Sequence, residues 1–214
     1  MRGAGYWLWK PYIILDAMAQ VPDGTPVLYA DCGVEYVDDP APLLSLLEGR
    51  DIVLFDNRLP EWTQAAFTKR DCFVLMDADI REHWNARQLD AAFQLYRAGP
   101  VARAFLTELR DCMRDPRILT DIPNELGREN LPEFVDHRHD QSVLTVLARN
   151  HGVETFRSPA IPPQDGDERS RYPKIFDQHR RKNKKLGKYL RMRLKRALWA
   201  RPAKKVAPVK RADG

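Results

Sequence analysis

Strand-like and helix-like segments alternate along most of this chain, and that alternation limits the folds it can adopt. The strand-like segments are short apolar runs bounded by turn residues, at 26–37, 51–55, 72–79 and 88–96. Helical spacing of apolar residues occupies 10–21, 40–49, 101–112 and 140–152. Strands that alternate with helices at short intervals favour an α/β fold with a parallel sheet. We therefore predict an α/β fold whose mixed, mostly parallel sheet is flanked by helices.

Composition and missing motifs exclude several classes of protein. The chain is 43% hydrophobic and 30% charged, which is typical of soluble globular domains. No segment is apolar for long enough to cross a bilayer, and the N-terminus lacks the features of a signal peptide. The three cysteines have no CxxC spacing, and the chain contains no Walker loop, GxGxxG, GxSxG or HExxH motif. The sequence predicts a cytoplasmic protein without a disulfide framework or a zinc knuckle.

Charge divides the chain into an acidic body and a basic tail. Residues 1–168 hold 17 Lys and Arg against 28 Asp and Glu, a net charge of −11. Residues 169–214 hold 18 against 2, a net charge of +16. The composition turns to proline and polar residues at 159–173, which is typical of a linker. We predict a folded domain at 1–168 and a basic tail at 169–214.

The tail contains an amphipathic pattern at 175–200. Leucines recur every four residues among cations: Leu186, Leu190, Leu194 and Leu198. This spacing predicts a basic helix suited to an anionic membrane surface, on the inner face of the plasma membrane. A solvated, partly disordered extension explains the same composition. Nucleic-acid binding ranks third, because the acidic body offers no companion basic patch.

Asp31 follows an apolar strand, and Gly33 follows Asp31 two positions later. A carboxylate at the carboxyl end of a strand can ligate a divalent cation or bind a sugar, and glycine permits close backbone approach. An ordinary turn aspartate produces the same local pattern. The segment therefore indicates either a ligand site or a turn.

Lys10 lies at the start of the first predicted helix, beside Trp7 and Trp9. An ammonium there can offset phosphate charge, while an aromatic ring covers a base or a sugar. Aromatic residues at this density are more often part of a hydrophobic core. The segment YWLWKPY by itself leaves both interpretations open.

The segment HRHDQS, residues 137–142, collects several polar groups before a helix. His137 and His139 could contribute to a metal site, but no further ligands occur at a characteristic spacing. Asp140 can cap the helix. Asp140 and Gln141 can also bind hydroxyl groups together, since Asp accepts hydrogen bonds and Gln both donates and accepts them.

Three segments, taken in order, resemble a group of bacterial GT-A-type glycosyltransferases of surface (capsular and lipopolysaccharide) polysaccharide synthesis. They are RGAGYWLWKPYII at 2–14, LYADCG at 28–33 and HRHDQSVLTVLARNHG at 137–152. Their order is also similar to the broader glycogenin and lipopolysaccharide galactosyltransferase pattern. The resemblance covers roughly residues 2–157. It implies a GT-A-like fold and a transferase that uses a nucleotide sugar.

The resemblance implies a role for each matched residue. Lys10 contacts the nucleotide sugar, Asp31 is the first acid of the DxD metal motif, and the strand at 88–96 lines the sugar pocket. Asp140 is the catalytic residue, which orients the sugar or removes a proton from the acceptor hydroxyl. The substrate-binding residues under this interpretation are Lys10, Trp9, Asp31, Gly33, His139 and Gln141.

The chain departs from the family pattern in two places. Gly33 stands where the second DxD acid is expected, and one carboxylate fewer weakens the binding of Mg²⁺ or Mn²⁺, which protein carboxylates hold together with substrate phosphates. A GT-A domain also begins with a βαβ unit that binds the nucleotide base, and this chain starts just downstream of the place for that unit. Either N-terminal residues are missing or the nucleotide sugar is not held in the usual way.

These observations predict a hexosyltransferase-like glycosyltransferase at the cytoplasmic face of the membrane. It moves a sugar from a nucleotide-diphosphate sugar to a polysaccharide or lipid-linked acceptor, with a divalent cation as its expected cofactor. The alternative is a non-catalytic remnant or a membrane-surface accessory protein of the same family.

Overall fold

The computed structural model describes residues 2–167 and 170–178 of the chain. The chain divides into a compact unit at Met1–Gln178 and a second unit at His179–Gly214. This division falls downstream of the predicted boundary at 168. The predicted basic helix at 175–200 lies outside the described residues, except for 175–178, where residues 176–178 form a strand instead.

The structure contains most of the helices and strands that the sequence predicts. The helices are α1 (Gly3–Tyr6), α2 (Trp9–Ala19), α3 (Gln64–Phe67), α4 (Arg70–Leu75), α5 (Arg81–Trp84), α6 (Pro100–Met113), α7 (Pro116–Leu119) and α8 (Asp140–Asn150), with a 3₁₀ helix at Ala41–Leu47. The strands are β1 (Pro26–Ala30), β2 (Val34–Tyr36), β3 (Ile52–Asp56), β4 (Leu89–Arg97), β5 (Thr155–Arg157) and β6 (Phe176–Gln178). Within the described ranges, no helix combines the length and the apolar character that a bilayer crossing requires.

Local signals explain where the three long helices begin and end. Pro11 lies in the first turn of α2 and Pro100 is the first residue of α6, positions where the missing proline N–H costs no helical hydrogen bond. α8 stops just before Gly152, whose φ of +61° is the left-handed conformation that favours glycine. The predicted helices at 10–21, 101–112 and 140–152 are confirmed.

The main sheet has four strands in the order β1-β4-β3-β5. β4 runs antiparallel to both of its neighbours, whereas β3 and β5 form the one parallel pair in the described part of the chain. A separate antiparallel sheet joins β2 to β6. The fold is therefore α/β with a mixed sheet, and the prediction that this sheet is mostly parallel is wrong.

The strand directions follow from where each connection begins and ends. Leu89, the first residue of β4, pairs with Asp56, the last residue of β3. The helices α3, α4 and α5 connect β3 to β4 without crossing the sheet. The chain therefore enters β4 at the edge where it left β3, and β4 runs in the opposite direction. Parallel neighbours require a connection that crosses from one edge to the other. The connection from β1 to β3 does cross, but β4 separates these two strands.

Two strand predictions need correction. Residues 72–79 do not form a strand, because residues 70–75 form α4, and Cys72, Phe73 and Met76 are buried along one side. Short apolar runs do not distinguish a buried strand from a buried helical turn. The predicted strand at 26–37 is two strands, β1 and β2, since the chain turns where the N–H of Val34 donates to the carbonyl oxygen of Asp31.

Each face of the main sheet is covered by its own hydrophobic cluster. On one face, α2, α6 and α8 pack against inward side chains of the sheet: Leu54, Leu89, Ala91 and Tyr96. On the other face, the 3₁₀ helix and residues 172–176 pack against Val53, Phe55, Phe93 and Leu95. The rings of Phe93 and Phe176 stack with centroids 4.7 Å apart. Residues just beyond the predicted boundary at 168 therefore belong to the core.

We expect Phe93→Ala to lower the free energy of unfolding by about 3–5 kcal/mol, because it leaves a cavity in the core and removes the stack on Phe176. Chemical denaturation with a two-state fit measures the change. The control is Val101→Ala, a truncation at a residue that is 54% exposed, and it should cost less than about 0.5 kcal/mol. Similar losses in the two variants would contradict this description of the core.

Candidate functional site

Three charged side chains from distant parts of the sequence meet beside the start of α2. The ammonium nitrogen Nζ of Lys10 lies 2.7 Å from Oδ2 of Asp140 and 3.1 Å from Oδ1 of Asp31. Nζ also donates a hydrogen bond of 3.2 Å to the carbonyl oxygen of Ala91 in β4. Lys10 is only 4% exposed. All three N–H groups of its ammonium are therefore used inside the protein.

The end of a regular element places each member of this Lys10–Asp31–Asp140 cluster. Lys10 is the second residue of α2, Asp31 directly follows β1, and Asp140 is the first residue of α8. The N–H of Asp31 donates to the carbonyl oxygen of Ala92, which extends the β1–β4 pairing by one residue. No side chain caps α8. The Asp140 carboxylate pairs with Lys10 instead, and its place in the first helical turn suits its negative charge.

The carboxylates keep Lys10 charged although it is buried. Burial alone lowers the pKa of a lysine, but Asp140 and Asp31 outweigh this effect and hold the pKa of Lys10 above its ordinary value. One ammonium and two carboxylates leave an excess of negative charge in the cluster. A buried cluster of this kind is stable only while its partners stay together.

Asp31 is the member of the cluster that reaches solvent. Its side chain is 32% exposed. Oδ1 accepts the bond from Lys10 and a second hydrogen bond, of 2.6 Å, from the hydroxyl of Tyr29. Oδ2 has no hydrogen bond within residues 2–167 and 170–178. Burial and the bond to Asp31 raise the pKa of Tyr29, so this phenol remains a donor. The open oxygen of Asp31 can accept a hydrogen bond from a ligand.

Asp90, on β4, adds a further acid that the sequence analysis did not single out. Its carboxylate accepts hydrogen bonds from the N–H of Ala92, the hydroxyl of Ser158 and the side-chain amide of Gln178. Burial is the main cause that raises the pKa of Asp90, and the charge of Asp31 adds to it. The only sequence signal was an acid inside an otherwise apolar strand.

The short element α1, just before α2, is a left-handed turn rather than a right-handed helix, although its hydrogen bonds span four residues as in a helix. Five consecutive residues have positive φ: Gly3, Ala4, Gly5, Tyr6 and Trp7. At Gly3 a Cβ atom would lie 2.4 Å from the indole ring of Trp7, so only glycine fits beneath that ring. The indole N–H of Trp9 donates to the carbonyl oxygen of Gly3 and closes the turn. Left-handed non-glycine residues cost about 1–3 kcal/mol each and occur preferentially at functional sites.

His139 joins this turn to α8. Its ring stacks on Trp7, with centroids 5.8 Å apart, and contacts Tyr6 at 4.8 Å. Nδ1 lies 3.0 Å from the carbonyl oxygen of Leu119, so Nδ1 carries the proton, and Nε2 accepts from the guanidinium of Arg2. The backbone of His139 also has a positive φ, of 55°. The side chain predicted to bind substrate therefore packs against the strained turn.

His137 and His139 do not form a metal site. The Nε2–H of His137 donates to the carbonyl oxygen of Ile118, and its Nδ1 accepts from the N–H of Lys69. All four ring nitrogens of the two histidines thus have hydrogen-bond partners. The two bonds to the carbonyl oxygens of Ile118 and Leu119 attach the segment before α8 to α7.

The remaining predicted site residues lie around the cluster without joining it. The side-chain amide of Gln141 donates to Gln88, at the edge of a buried network that includes Gln64 and Thr68. Trp9 is partly exposed at the start of α2. Gly33 lies in the turn after β1, where an added Cβ would meet nothing within 4 Å.

The donor set around Asp31 does not fit Mg²⁺ or Mn²⁺ held by protein ligands alone. Asp31 already shares Oδ1 with the Lys10 ammonium, and Gly33 supplies no second acid. In residues 2–167 and 170–178, no group of three or more His, Cys, Asp or Glu side chains is arranged to hold a metal ion. The divalent cation stays a prediction from the resemblance.

Comparison with known proteins identifies no relative of this chain. No protein-family model, no curated protein and no solved structure matches it. The evidence for a function therefore lies in the residues of the site.

We expect Lys10→Met to lower the free energy of unfolding by about 3–5 kcal/mol, because it leaves the buried carboxylate of Asp140 and the partly exposed carboxylate of Asp31 without their counter-ion. Denaturant unfolding at neutral pH measures the loss. The matched control is Lys174→Met, which removes a partly exposed lysine paired with Asp177 and should cost less than about 1 kcal/mol. If the two variants lose the same stability, Lys10 does not hold the cluster together.

His137 should make the fold sensitive to acid. Burial and the neighbouring His139 lower the pKa of His137 to about 3, below its ordinary value of 6.5. The contribution of the neutral His137 to stability is complete above pH 6.5 and is lost as the pH falls toward 3. In this range the histidine is protonated in the unfolded state and neutral in the folded state. Between these values the free energy of unfolding should fall by an extra 1.4 kcal/mol or so per pH unit.

Denaturant unfolding of His137→Asn across this pH window tests the assignment. The free energy of unfolding should depend less steeply on pH than in the parent chain, by the equivalent of about one proton taken up on unfolding. The control is His151→Asn, which removes an exposed histidine whose Nε2–H donates to the carboxylate of Glu108. This variant should keep the slope of the parent chain. An unchanged slope in His137→Asn contradicts the assignment.

Proposed function

We propose that this chain is a glycosyltransferase that moves a sugar from a nucleotide-diphosphate sugar to a polysaccharide or lipid-linked acceptor. The observation that carries the proposal is the convergence of Lys10, Asp31 and Asp140, with one carboxylate open to solvent. The same residues occupy the segments by which the sequence resembles GT-A-type glycosyltransferases. A resemblance in three separate segments supports the proposal more strongly when the segments meet in space.

The charge of the Lys10–Asp31–Asp140 cluster favours a sugar over a phosphate as its ligand. A single ammonium faces two carboxylates, and Asp90 lies close enough for its pKa to respond to Asp31. Sugar hydroxyls are hydrogen-bond donors, and carboxylate oxygens accept them well. A phosphate next to these acids would meet like charge. We therefore assign the sugar, rather than the diphosphate, to this cluster.

Each residue of the cluster has a role in the proposed transfer. Asp31 accepts a hydrogen bond from a sugar hydroxyl through Oδ2. Lys10 is a positioning residue that fixes the orientation of both carboxylates. Asp140 orients the sugar or takes the proton of the acceptor hydroxyl. The acceptor oxygen bonds to the anomeric carbon, the bond from that carbon to the phosphate oxygen breaks, and a nucleoside diphosphate leaves.

The second candidate is a non-catalytic protein of the same family. The saturated ammonium of Lys10 and the 8% exposure of Asp140 favour it, because these features also suit a purely structural ion cluster. A cytoplasmic location and docking on an anionic membrane through the basic tail are part of both candidates. Residues 179–200, most of the tail segment behind that expectation, lie outside the described residues.

Nucleotide-sugar turnover distinguishes the two candidates. The full chain is incubated with a panel of UDP and GDP sugars, and release of the nucleoside diphosphate is followed by chromatography. We expect Asp31→Asn to reduce turnover by about 100-fold or more, because it removes a charged acceptor at the sugar. Asp16→Asn, which neutralises an exposed acid of α2, should leave turnover unchanged.

Stability measurements on the same variants exclude misfolding as the cause. Asp31 is partly exposed, and its second oxygen is open, so Asp31→Asn should fold. A folded, inactive Asp31→Asn supports the transferase. Equal turnover in Asp31→Asn and in the parent chain would show that Asp31 does not bind the sugar. If the parent chain turns over no sugar in the panel, the result supports the non-catalytic candidate.

A further inference from the structure

A groove lies between α8, the end of β3 and the start of β4. It consists of two adjoining cavities of about 400 and 520 Å³. Arg87, Arg149 and Thr155 line both cavities, so the two arginines stand where the cavities meet. These volumes match those of small-molecule binding sites.

The two arginines have few partners within the protein. Arg149 is an exposed residue in the last turn of α8. No carboxylate pairs with it in the described ranges, 2–167 and 170–178. The side chain of Arg87 is 45% exposed, and the nearest carboxylate oxygen, on Asp56, is 3.8 Å from its Nε, beyond hydrogen-bond distance. Both guanidiniums can therefore still bind a ligand.

The acids in the groove walls are mostly neutralised by other groups. Asp56 accepts hydrogen bonds from the backbone and guanidinium of Arg58 and from the hydroxyl of Thr155. Glu154 pairs with Arg50 at 2.7 Å. The third acid, Glu82, is exposed to water, which screens its charge. With these pairs set aside, Arg87 and Arg149 face a single acid, Glu82.

Two further features of the groove point to a ligand. Nδ1 of His83 is buried and has no hydrogen-bond partner in the described part of the chain. Burial and the charge of Arg149 lower the pKa of His83, so its ring is neutral and can donate or accept. Arg58, on the wall, has a left-handed φ of 56° that its bonds to Asp56 maintain. Strained residues of this kind concentrate at functional sites.

We propose that this groove binds a phosphate-bearing ligand, with the guanidiniums of Arg87 and Arg149 on the phosphoryl oxygens and His83 as an additional hydrogen-bonding group. Arginine matches a phosphate because its planar fork of donors fits two oxygens at once. The groove is separate from the Lys10–Asp31–Asp140 cluster. Asp140 and Arg149 are nine residues apart in α8, which corresponds to about 13 Å along the helix. The inference does not rest on the proposed glycosyltransferase function.

Site-resolved chemical modification tests the groove in the full, unaltered chain. Phenylglyoxal labels arginines, and peptide mass spectrometry gives the rate at each position. Inorganic pyrophosphate at about ten times its Kd should slow labelling of Arg87 and Arg149 about tenfold, because only the free site reacts. Arg110, a partly exposed arginine of α6 outside the groove, should react at an unchanged rate. Because rates are resolved by position, binding of pyrophosphate to the basic tail does not interfere.

A pair of double variants provides the second test. Arg87→Gln with Arg149→Gln should weaken pyrophosphate binding in calorimetry by about tenfold or more, since it removes two charged donors. Arg103→Gln with Arg110→Gln removes the same charge elsewhere and should leave the affinity unchanged. Equal affinity in both double variants overturns the proposal, as does unaltered labelling of Arg87 and Arg149. Sulfate at matched ionic strength that protects these arginines equally well would overturn the assignment of phosphate.

Discussion

The buried ammonium of Lys10 is the interaction on which the arrangement of this protein depends. A charge that is almost fully removed from water has to be paired, and Lys10 finds carboxylates in Asp31 and Asp140 and a carbonyl oxygen in β4. The pairing ties the start of α2, the end of β1, the sheet and the start of α8 to one point. Any rearrangement of these elements would expose an unpaired charge, so the elements are fixed relative to each other.

Strain is concentrated around the same point. The left-handed turn at residues 3–7 and the unusual backbone of His139 both contact the helix ends that carry the ion cluster. Trp7 lies between the two, with Gly3 beneath its ring and His139 stacked against it. Aromatic packing and hydrogen bonds thus hold a backbone that would relax in isolation. The free-energy cost of this strained backbone is consistent with a site that needs a fixed geometry.

Local patterns predicted the elements better than their arrangement. The spacing of apolar residues located α2, α6, α8, β3 and β4, because amphipathic periodicity depends only on neighbouring residues. The same reasoning was wrong for residues 72–79, since a run of that length fits a buried helical turn as well as a strand. It was also wrong on strand direction, because direction depends on which edge of the sheet each connection returns to. Tyr29 could have been found, since it lies two residues before Asp31 on the same side of the strand.

The sequence by itself determined the α/β class and the residue types at the candidate site, because helix ends and strand ends carry local signatures in their own residues. Only the tertiary structure decided that Lys10 neutralises Asp31 and Asp140 at once, that Asp31 keeps one oxygen open, and that Arg87 and Arg149 share a groove. These contacts join residues far apart in the chain. They exist because burial of the hydrophobic faces brings the ends of the elements together, and no local pattern records that distance.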